Sequence, residues 1–348
     1  MMMLLDDPSP LVRQAMSEAF AASADAPSTI VHALAGDQPD VASPLLERSP
    51  LFLDTDLVNA VATGDAARQV AVAARSHVPC SVSAAIAEVG CAEACLVMLE
   101  NPNADIVAFS LDRIVARYGH LAVIRDALLS RDGLAAPTRQ ALVAKLSETL
   151  ADFVTSREWL ASERAQQVTK EACEKATVAV AADSDGGEMR QLIRHLRDTG
   201  QLTAGLVLRA LLSGNLSLFE EALADLTGMP LPRVIGIVHD RRGTGFRALY
   251  EKAGLPASAY PVFRGALEAI REEGFLHEVA DASRLKRRII ERVLTGCESA
   301  ALDNVEPLLS LLRRYEAEAA REEARMFCED LVAWEPIAIE SDDRPMAA

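Results

Sequence analysis

Four residues that could bind a metal ion lie within a short part of the chain. His77 and Cys80 are separated by two residues and Cys91 and Cys95 by three, which places the second pair on one face of a helix. Zinc uses imidazole and thiolate ligands in sets of four. The spacing matches no established zinc module, however, and cysteines among alanines behave as small core residues. We therefore expect a core role for all four residues, and no metal or other cofactor.

Paired carboxylates and isolated histidines are the other candidates for catalysis. Asp54 and Asp56 open a predicted helix, while Asp183 and Asp185 lie in a predicted linker, so capping and solvation account for both pairs. His239 stands alone at a predicted helix end. The sequence contains no nucleophile elbow, no His-Glu-x-x-His motif and no dinucleotide fingerprint. These patterns predict a protein that is not an enzyme.

The densest positive cluster of the chain contains Arg284, Arg288 and Arg292. These arginines are spaced four residues apart, so they share one face of a predicted helix. They could bind an acidic or phosphorylated partner. The alternative, which we favour, is a solvated helix face that pairs with nearby glutamates.

Arg75 and Asn101 each follow a short apolar helical pattern. Arg75 ends a run of alanine and valine, and Asn101 stands directly before a proline. Side chains at such positions can donate hydrogen bonds to the unpaired carbonyl groups of a neighbouring helix end. They could equally point into a groove where a partner binds. We favour the tie between neighbouring helices and keep both residues as candidate binding residues.

Short helical patterns must position these residues. Val82, Ile86 and Val89 fall at helical spacing, and similar patterns recur with proline or glycine between them. Helices this short bury an apolar face only by stacking on neighbours. Candidate repeat starts are spaced by about 30 residues, at Asp7, Asp37, Asp65, Asn101 and Asp132. The pattern predicts an all-α solenoid of stacked helix pairs.

Two groups of residues carry a family resemblance. Residues 7–15 resemble the start of a HEAT repeat, in which Asp and Pro turn the chain and Val-Arg opens the helix. Residues 53–58, 69–75 and 96–104 resemble a bacterial HEAT-like family of unknown function, number 2336. The resemblance covers residues 45–150 and extends more loosely over the C-terminal half. The resemblance implies a HEAT-like α-solenoid and implies no activity. Cys91 and Cys95 depart from it, because ordinary polar or aliphatic residues are expected at these positions.

The length and charge of the helical patterns change along the chain, which predicts several regions. Residues 1–150 form a HEAT-like helical repeat domain, and residues 151–187 form a long helix and a linker. Residues 188–334 form a C-terminal helical domain, and residues 335–348 form a disordered tail. We therefore expect a solenoid followed by a second helical region.

Composition limits the classes of function. The chain has 348 residues, 50 % hydrophobic and only 4 % aromatic, which favours closely packed helices. Its formal net charge of −16 argues against nucleic-acid binding, which needs a basic surface. No apolar run is long enough to cross a bilayer, and Asp6 and Asp7 interrupt the apolar start. Six cysteines without disulfide-type spacing suggest a cytoplasmic protein.

These observations favour a protein that binds another protein. Our leading hypothesis is a non-enzymatic interaction scaffold or regulatory adaptor, in bacterial signalling. The alternative is an enzyme on a HEAT-like scaffold, such as a DNA-base glycosylase, which needs a basic concave face and a carboxylate beside aromatic residues. Trp159 and Trp334 both lie outside the clear repeats. The enzyme is therefore the weaker hypothesis.

The C-terminal half also predicts self-association. One predicted helix carries an apolar face of Leu308, Leu312, Tyr315 and Ala319, extended by Met326, Phe327, Leu331 and Trp334. The open end of a solenoid must be capped or covered. We expect a homodimer through this helix, with intramolecular packing as the competing explanation.

Overall fold

A computed structural model of the chain describes residues 5, 7–240, 242–273, 286–295 and 306–333. These residues form helices and turns without a β-strand. An isolated β-bridge joins Val78 and Ala104. The predicted all-α fold is therefore confirmed. The chain divides into two compact units, Met1–Leu192 and Ile193–Ala348. None of the described helices is both long and apolar enough to span a bilayer.

Unit 1 is built from short helices and one long pair. The short helices are α1 (Pro10–Phe20), α2 (Ser28–Ala35), α3 (Pro39–Arg48), α4 (Asp54–Thr63), α5 (Ala66–Ala73), α6 (Cys80–Val89), α7 (Ala92–Glu100), α8 (Ala108–Tyr118) and α9 (Ala122–Leu129). The long pair is α10 (Ala136–Ser156) and α11 (Ser162–Ala182). Helix α12 (Gly186–Asp198) follows, and the division between the units falls within it.

The helices of unit 1 stack in two layers. Helices α1, α3, α5, α7 and α9 pack on one another in order and form the odd layer, while α4, α6, α8 and α10 form the even layer. Within each layer a helix therefore packs on the next helix but one, as expected for a helical repeat. The core between the layers contains the fully buried side chains of Val72, Val82, Ile86, Met98 and Ile114.

Glycine and capping residues set the tight turns between the layers. A β-carbon at Gly90 would lie 2.5 Å from the carbonyl oxygen of Ile86, so only glycine allows α7 to begin directly after α6. Asp65 accepts a hydrogen bond from the backbone N–H of Arg68 at 3.0 Å and caps α5. Short turns of this kind let each helix begin close to the end of the one before it.

Helices α10 and α11 form a long antiparallel hairpin. Each has 21 residues, against 8 to 11 in the helices before them. The predicted region 151–187 thus contains the end of α10, the whole of α11 and the turn at Asp185, all within unit 1. The turn at residues 157–161 separates the two helices where the sequence pattern predicts one continuous helix from Ser156.

Unit 2 packs around aromatic side chains. After the end of α12 it contains α13 (Ala204–Leu212), α14 (Leu216–Thr227), α15 (Leu231–Val238), α16 (Phe246–Lys252), a 3₁₀ turn (Ala257–Ala259), α17 (Tyr260–Glu273), α18 (286–295) and α19 (Glu306–Ala333). The rings of Phe219 and Phe263 stack with centroids 6.3 Å apart, and Phe246 and Tyr250 are buried beside them. Burial raises the pKa of Tyr250 to about 12.

The apolar face predicted for a dimer packs inside unit 2 instead. Leu312, Tyr315 and Ala319 of α19 are 0 %, 3 % and 1 % exposed. Arg209 of α13 lies over the Tyr315 ring at 4.1 Å and forms an ion pair with Glu318 at 2.9 Å. Intramolecular packing therefore accounts for this face. Of the remaining residues predicted for this face, Leu308 is partly buried, and Met326 and Phe327 are exposed. The structure does not describe the side chain of Leu331, nor Trp334 and the predicted tail 335–348.

Candidate interaction surfaces

Arg75, Asn101 and Arg131 tie the helix ends of the odd layer together. Arg75 donates hydrogen bonds to the carbonyl oxygens of Leu46 and Ser49 at 2.6 and 2.8 Å. Asn101 donates to the carbonyl oxygen of Arg75 at 2.7 Å, and Arg131 donates to the carbonyl oxygen of Leu99 at 2.8 Å. Each bond spans 26 to 32 residues, about one repeat. We call these three side chains the odd-layer ladder.

The ladder satisfies carbonyl groups that helix geometry leaves unpaired. The last four carbonyl groups of an α-helix have no partner within the helix, and they carry the negative end of its dipole. Burial lowers the pKa of Arg75, so its hydrogen bonds replace contacts with water. The structure thus gives Arg75 and Asn101 the tie between repeats rather than a position in a groove.

Sequence reasoning missed two members of this arrangement. Arg131 belongs to the ladder, and Arg117 makes the equivalent bonds in the even layer, to the carbonyl oxygens of Ala87 and Gly90 at 2.7 and 2.8 Å. Both residues lie at or just beyond a helix end, as Arg75 does. That position was the available signal, since both lie close to Gly119 or Gly133 in the sequence.

The aspartates considered for catalysis have structural roles. Asp54 accepts a hydrogen bond from the hydroxyl of Ser81 at 2.9 Å and so links α4 to α6. Asp56 accepts from the backbone N–H of Leu53 at 3.0 Å, and Asp185 accepts from that of Glu188 at 2.9 Å. Capping and helix-to-helix contact explain these carboxylates.

The possible zinc ligands do not form a site. Among the described residues, no three His, Cys, Asp or Glu side chains lie where they could hold one metal ion. His77 lies 3.1 Å from the carbonyl oxygen of Asn103, and Cys80 is exposed at the start of α6. The sulfur of Cys91 accepts a hydrogen bond from the N–H of Ala94 at 3.4 Å. The weak zinc alternative therefore has no geometric support.

Cys95 is a core residue of unit 1. Its side chain is fully buried and donates to the carbonyl oxygen of Ile86 at 3.6 Å. Burial raises the pKa of the Cys95 thiol to about 11. A thiol with such a pKa stays protonated near neutral pH and is a poor nucleophile and metal ligand. The prediction of a core role holds for Cys95, whereas the exposed Cys80 lies outside the core.

The basic run of α18 pairs with glutamates of unit 2. Arg292 donates to Glu272 of α17. Lys286 and Arg287, at the start of α18, form ion pairs with Glu322 and Glu323 of α19, both at 3.0 Å. Arg288 is exposed and engaged as well. Arg284 lies outside the described residues. The geometry is that of a solvated face paired with glutamates.

An open cleft lies between α7 and α9 in the odd layer. Its volume is about 750 Å³. The lining combines apolar and acidic side chains: Leu96, Leu99, Glu100, Pro102, Val123, Asp126, Ala127, Ser130, Arg131 and Asp132. Val123 is 56 % exposed, and Glu100, Asp126 and Asp132 are exposed as well. The cleft thus offers an apolar floor with an acidic rim.

The ladder fixes the shape and the charge of this cleft. Arg131 bonds the carbonyl oxygens of Leu99, Asn101 and Ala104, so its guanidinium faces the end of α7. It therefore holds the loop after α9 against α7. Because Arg131 is the only basic side chain of the lining and is used in this way, the three carboxylates determine the charge of the cleft.

A hydrogen bond between a buried glutamate and a histidine in unit 2 was missed from the sequence. Glu220 is 7 % exposed and lies 2.7 Å from the Nε2 atom of His239, at the end of α15. Burial raises the pKa of Glu220, and the contact with His239 opposes that shift. The signal was the position of Glu220 beside Phe219, on the buried face of α14. The aromatic side chains around it are closed to solvent.

Comparison with known proteins identifies a family. Residues 41–303 match a family described as "Uncharacterised protein conserved in bacteria (DUF2336)". The chain belongs to this family. No curated protein and no solved structure matches it. The resemblance seen in residues 53–104 is thereby confirmed, and the DUF2336 region contains the odd-layer ladder, the cleft and the long hairpin.

Proposed function

We propose that this protein is a non-enzymatic scaffold or regulatory adaptor, acting in bacterial signalling, and that its α7–α9 cleft binds a segment of another protein. The observation that carries the proposal is the cleft itself, with its apolar floor and acidic rim. A helical repeat held rigid by the ladder presents such a cleft without rearrangement, which reduces the entropic cost of binding.

The chemistry of the cleft indicates the kind of segment it binds. Leu96, Leu99 and Val123 provide apolar contacts, and Glu100 and Asp126 attract positive charge. An amphipathic helix with apolar residues on one face and lysine or arginine beside them fits both features. The partner we propose is therefore a protein with a basic amphipathic segment. Nucleic acid is disfavoured because its phosphates would meet these carboxylates.

A synthetic lysine–leucine amphipathic helix provides a direct test. Fluorescence anisotropy of the labelled peptide with the full chain should show saturable binding, and a scrambled peptide of equal composition should bind more weakly. Glu100→Lys with Asp126→Lys should weaken binding at least tenfold, a loss of about 1.4 kcal/mol. Asp152→Lys, a charge reversal on α10 outside the cleft, should bind like the wild type. Equal binding by all three proteins would refute the cleft as the site.

The alternative of a DNA-base glycosylase keeps its own test. It predicts binding to duplex DNA at physiological salt, with an affinity that falls steeply as salt rises. The ladder arginines bond carbonyl oxygens, and Arg287 and Arg292 of α18 pair with glutamates, so these arginines do not support a basic DNA-binding face. Five free cysteines among the described residues support our proposal of a cytoplasmic location.

A further inference from the structure

The apolar face of α10 changes from buried to exposed along its length. Leu142 is 3 % exposed in the core, whereas Leu146, Leu150 and Phe153 on the same side of the helix are 36 %, 47 % and 45 % exposed. Helix α8, on which α10 stacks, has 11 residues against 21 in α10. Helix α8 is therefore too short to cover the whole of α10, and although α11 packs beside α10, Leu146, Leu150 and Phe153 remain exposed.

The turn after α10 fixes an aromatic group at the end of this face. The N–H of Trp159 donates to the carbonyl oxygen of Val154 at 3.1 Å, and that of Glu158 donates to Thr155 at 3.0 Å, the bonding of a Schellman motif. Glu158 takes the left-handed conformation the motif requires, with φ of 57°. Trp159 packs edge-on against Phe153, with centroids 5.6 Å apart, yet remains 66 % exposed. A rigid, exposed tryptophan is the residue type most enriched at binding hot spots.

We propose that two copies of the chain associate through this surface, the hairpin patch of Leu146, Leu150, Phe153, Trp159 and Leu160. The two hairpins pack about a two-fold axis, α10 against α10, and form a four-helix arrangement. Each α10 supplies the same face, so a contact made by one copy is repeated by the other. In the dimer, the patch of one copy covers the apolar face of α10 in the other copy, which α8 is too short to cover in the monomer.

The charge of the hairpin favours a second copy as the occupant. Residues 136–182 carry six basic side chains, Arg139, Lys145, Arg157, Arg164, Lys170 and Lys175, and six acidic ones, Glu148, Asp152, Glu158, Glu163, Glu171 and Glu174. The hairpin is therefore neutral in a chain of net charge −16. Two copies that meet here avoid the repulsion between their other surfaces. A basic partner gains more at the acidic cleft than at this neutral surface.

The size of the patch also fits a dimer. The exposed apolar part of α10 begins at Leu146 and the helix ends at Ser156, a length of about 16 Å, so two antiparallel hairpins can meet over this half of the helix and the turn after it. Stable interfaces bury about 800 Å² on each partner, built around a few large anchors. Phe153 and Trp159 provide these anchors, and Leu146, Leu150 and Leu160 surround them.

Sedimentation velocity of the full chain over about 1 to 100 µM tests the proposal. The wild type should sediment as a dimer at the upper concentrations. The variants Leu150→Asp and Trp159→Ala should each raise the dissociation constant at least tenfold, and the double variant should remain a monomer. Both positions are exposed, so the far-UV circular dichroism spectrum of each variant should match that of the wild type, which shows that the variant is folded.

Phe327→Asp is the matched control. Phe327 is an exposed apolar residue of α19, the helix that the sequence predicted as the dimer contact, and its side chain is 62 % exposed. This variant should dimerise like the wild type. A monomeric wild type, a dimer that survives both hairpin substitutions, or a dimer lost with Phe327→Asp would each overturn the proposal.

Discussion

Arg75 donates to two carbonyl oxygens at the end of α3, those of Leu46 and Ser49, both of which are buried residues. Neighbouring repeats are held at this point by a few charge-assisted hydrogen bonds. Such bonds contribute more than surface ion pairs, because loss of the donor leaves buried acceptors unsatisfied.

We expect Arg75→Ala to lower the free energy of unfolding by about 2 kcal/mol, since two carbonyl groups lose their partner. Urea denaturation of the full chain measures this. Arg113→Ala is the control, because Arg113 forms an exposed ion pair with Glu88 and should cost under about 1 kcal/mol. Equal losses in the two variants would contradict a special role for Arg75.

Asp37 provides a prediction of pH dependence. Arg13 donates to its carboxylate at 2.5 Å, and this hydrogen bond lowers the pKa of Asp37 from its ordinary value. A lowered pKa means that the stabilisation is present above about pH 4 and is lost as the pH falls through the lower, folded-state value. The stability difference between wild type and Asp37→Asn should therefore shrink in acid. A difference that stays constant in urea titrations from neutral pH to about pH 2.5 would argue against the ion pair.

Cys95 and Cys80 should differ in reactivity. Burial raises the pKa of Cys95 to about 11, whereas Cys80 is exposed. In the native protein we expect a thiol reagent at neutral pH to modify Cys80 rapidly and Cys95 only after unfolding. Mass spectrometry of the alkylated peptides distinguishes them. Rapid native labelling of Cys95 would mean that the core between the layers opens.

Sequence reasoning can find residues at helix ends, but it cannot find the carbonyl groups that they bond. Arg75 and Asn101 stand next to helix breakers, so their place at a helix end was predictable. Arg117 and Arg131 occupy equivalent places, close to Gly119 and Gly133, so their place at a helix end was also predictable. For all four residues, the carbonyl groups that they bond lie 26 to 32 residues away. Which carbonyl groups they reach depends on how one repeat stacks on another, and no local pattern contains that information.

At the scale of elements, the hairpin of α10 and α11 differs from the other helices of unit 1. Its sequence predicts helices correctly, yet the turn at 157–161 contains neither glycine nor proline. The Schellman motif there depends on Glu158 in a left-handed conformation, which side chains with a β-carbon disfavour. A prediction that relies on glycine and proline to end helices could therefore not find this turn.

Glu158→Gly should stabilise the protein by up to about 1 kcal/mol, because glycine adopts the left-handed conformation without strain. Thermal or urea unfolding measures the gain. Glu158→Ala removes the same carboxylate but keeps the β-carbon, and it should give no comparable gain. A gain in both variants would indicate that charge, rather than backbone conformation, is responsible.

The same scale shows where periodicity alone fails. Val82, Ile86 and Val89 form one predicted apolar face, and the first two are fully buried, but Val89 is 48 % exposed at the end of α6. Likewise, the apolar face of α10 continues past the point where α8 ends. Periodicity identifies the side of a helix that is apolar, while the length of the neighbouring helix decides how much of it is covered.

At the scale of the molecule, a two-layered repeat in unit 1 carries two surfaces of different character. The cleft between α7 and α9 is acidic, and the hairpin patch is neutral and apolar. Neither was predictable from sequence, because the cleft forms between helices that are not consecutive and the patch depends on unequal helix lengths. Family membership in DUF2336 was predictable from the resemblance in residues 53–104, which lie within the matched range 41–303.

The central claim, that the cleft binds a partner protein, is tested most directly by site-specific photo-crosslinking in the bacterium that makes the protein. A photoreactive phenylalanine analogue at Val123, in the cleft, should give a dominant adduct with one other protein. The same group at Phe109, which is 73 % exposed on α8 of the even layer, should not give that adduct. Glu100→Lys with Asp126→Lys should abolish it. No adduct at Val123, the same adduct at Phe109, or an adduct unaffected by the charge reversal would contradict the account.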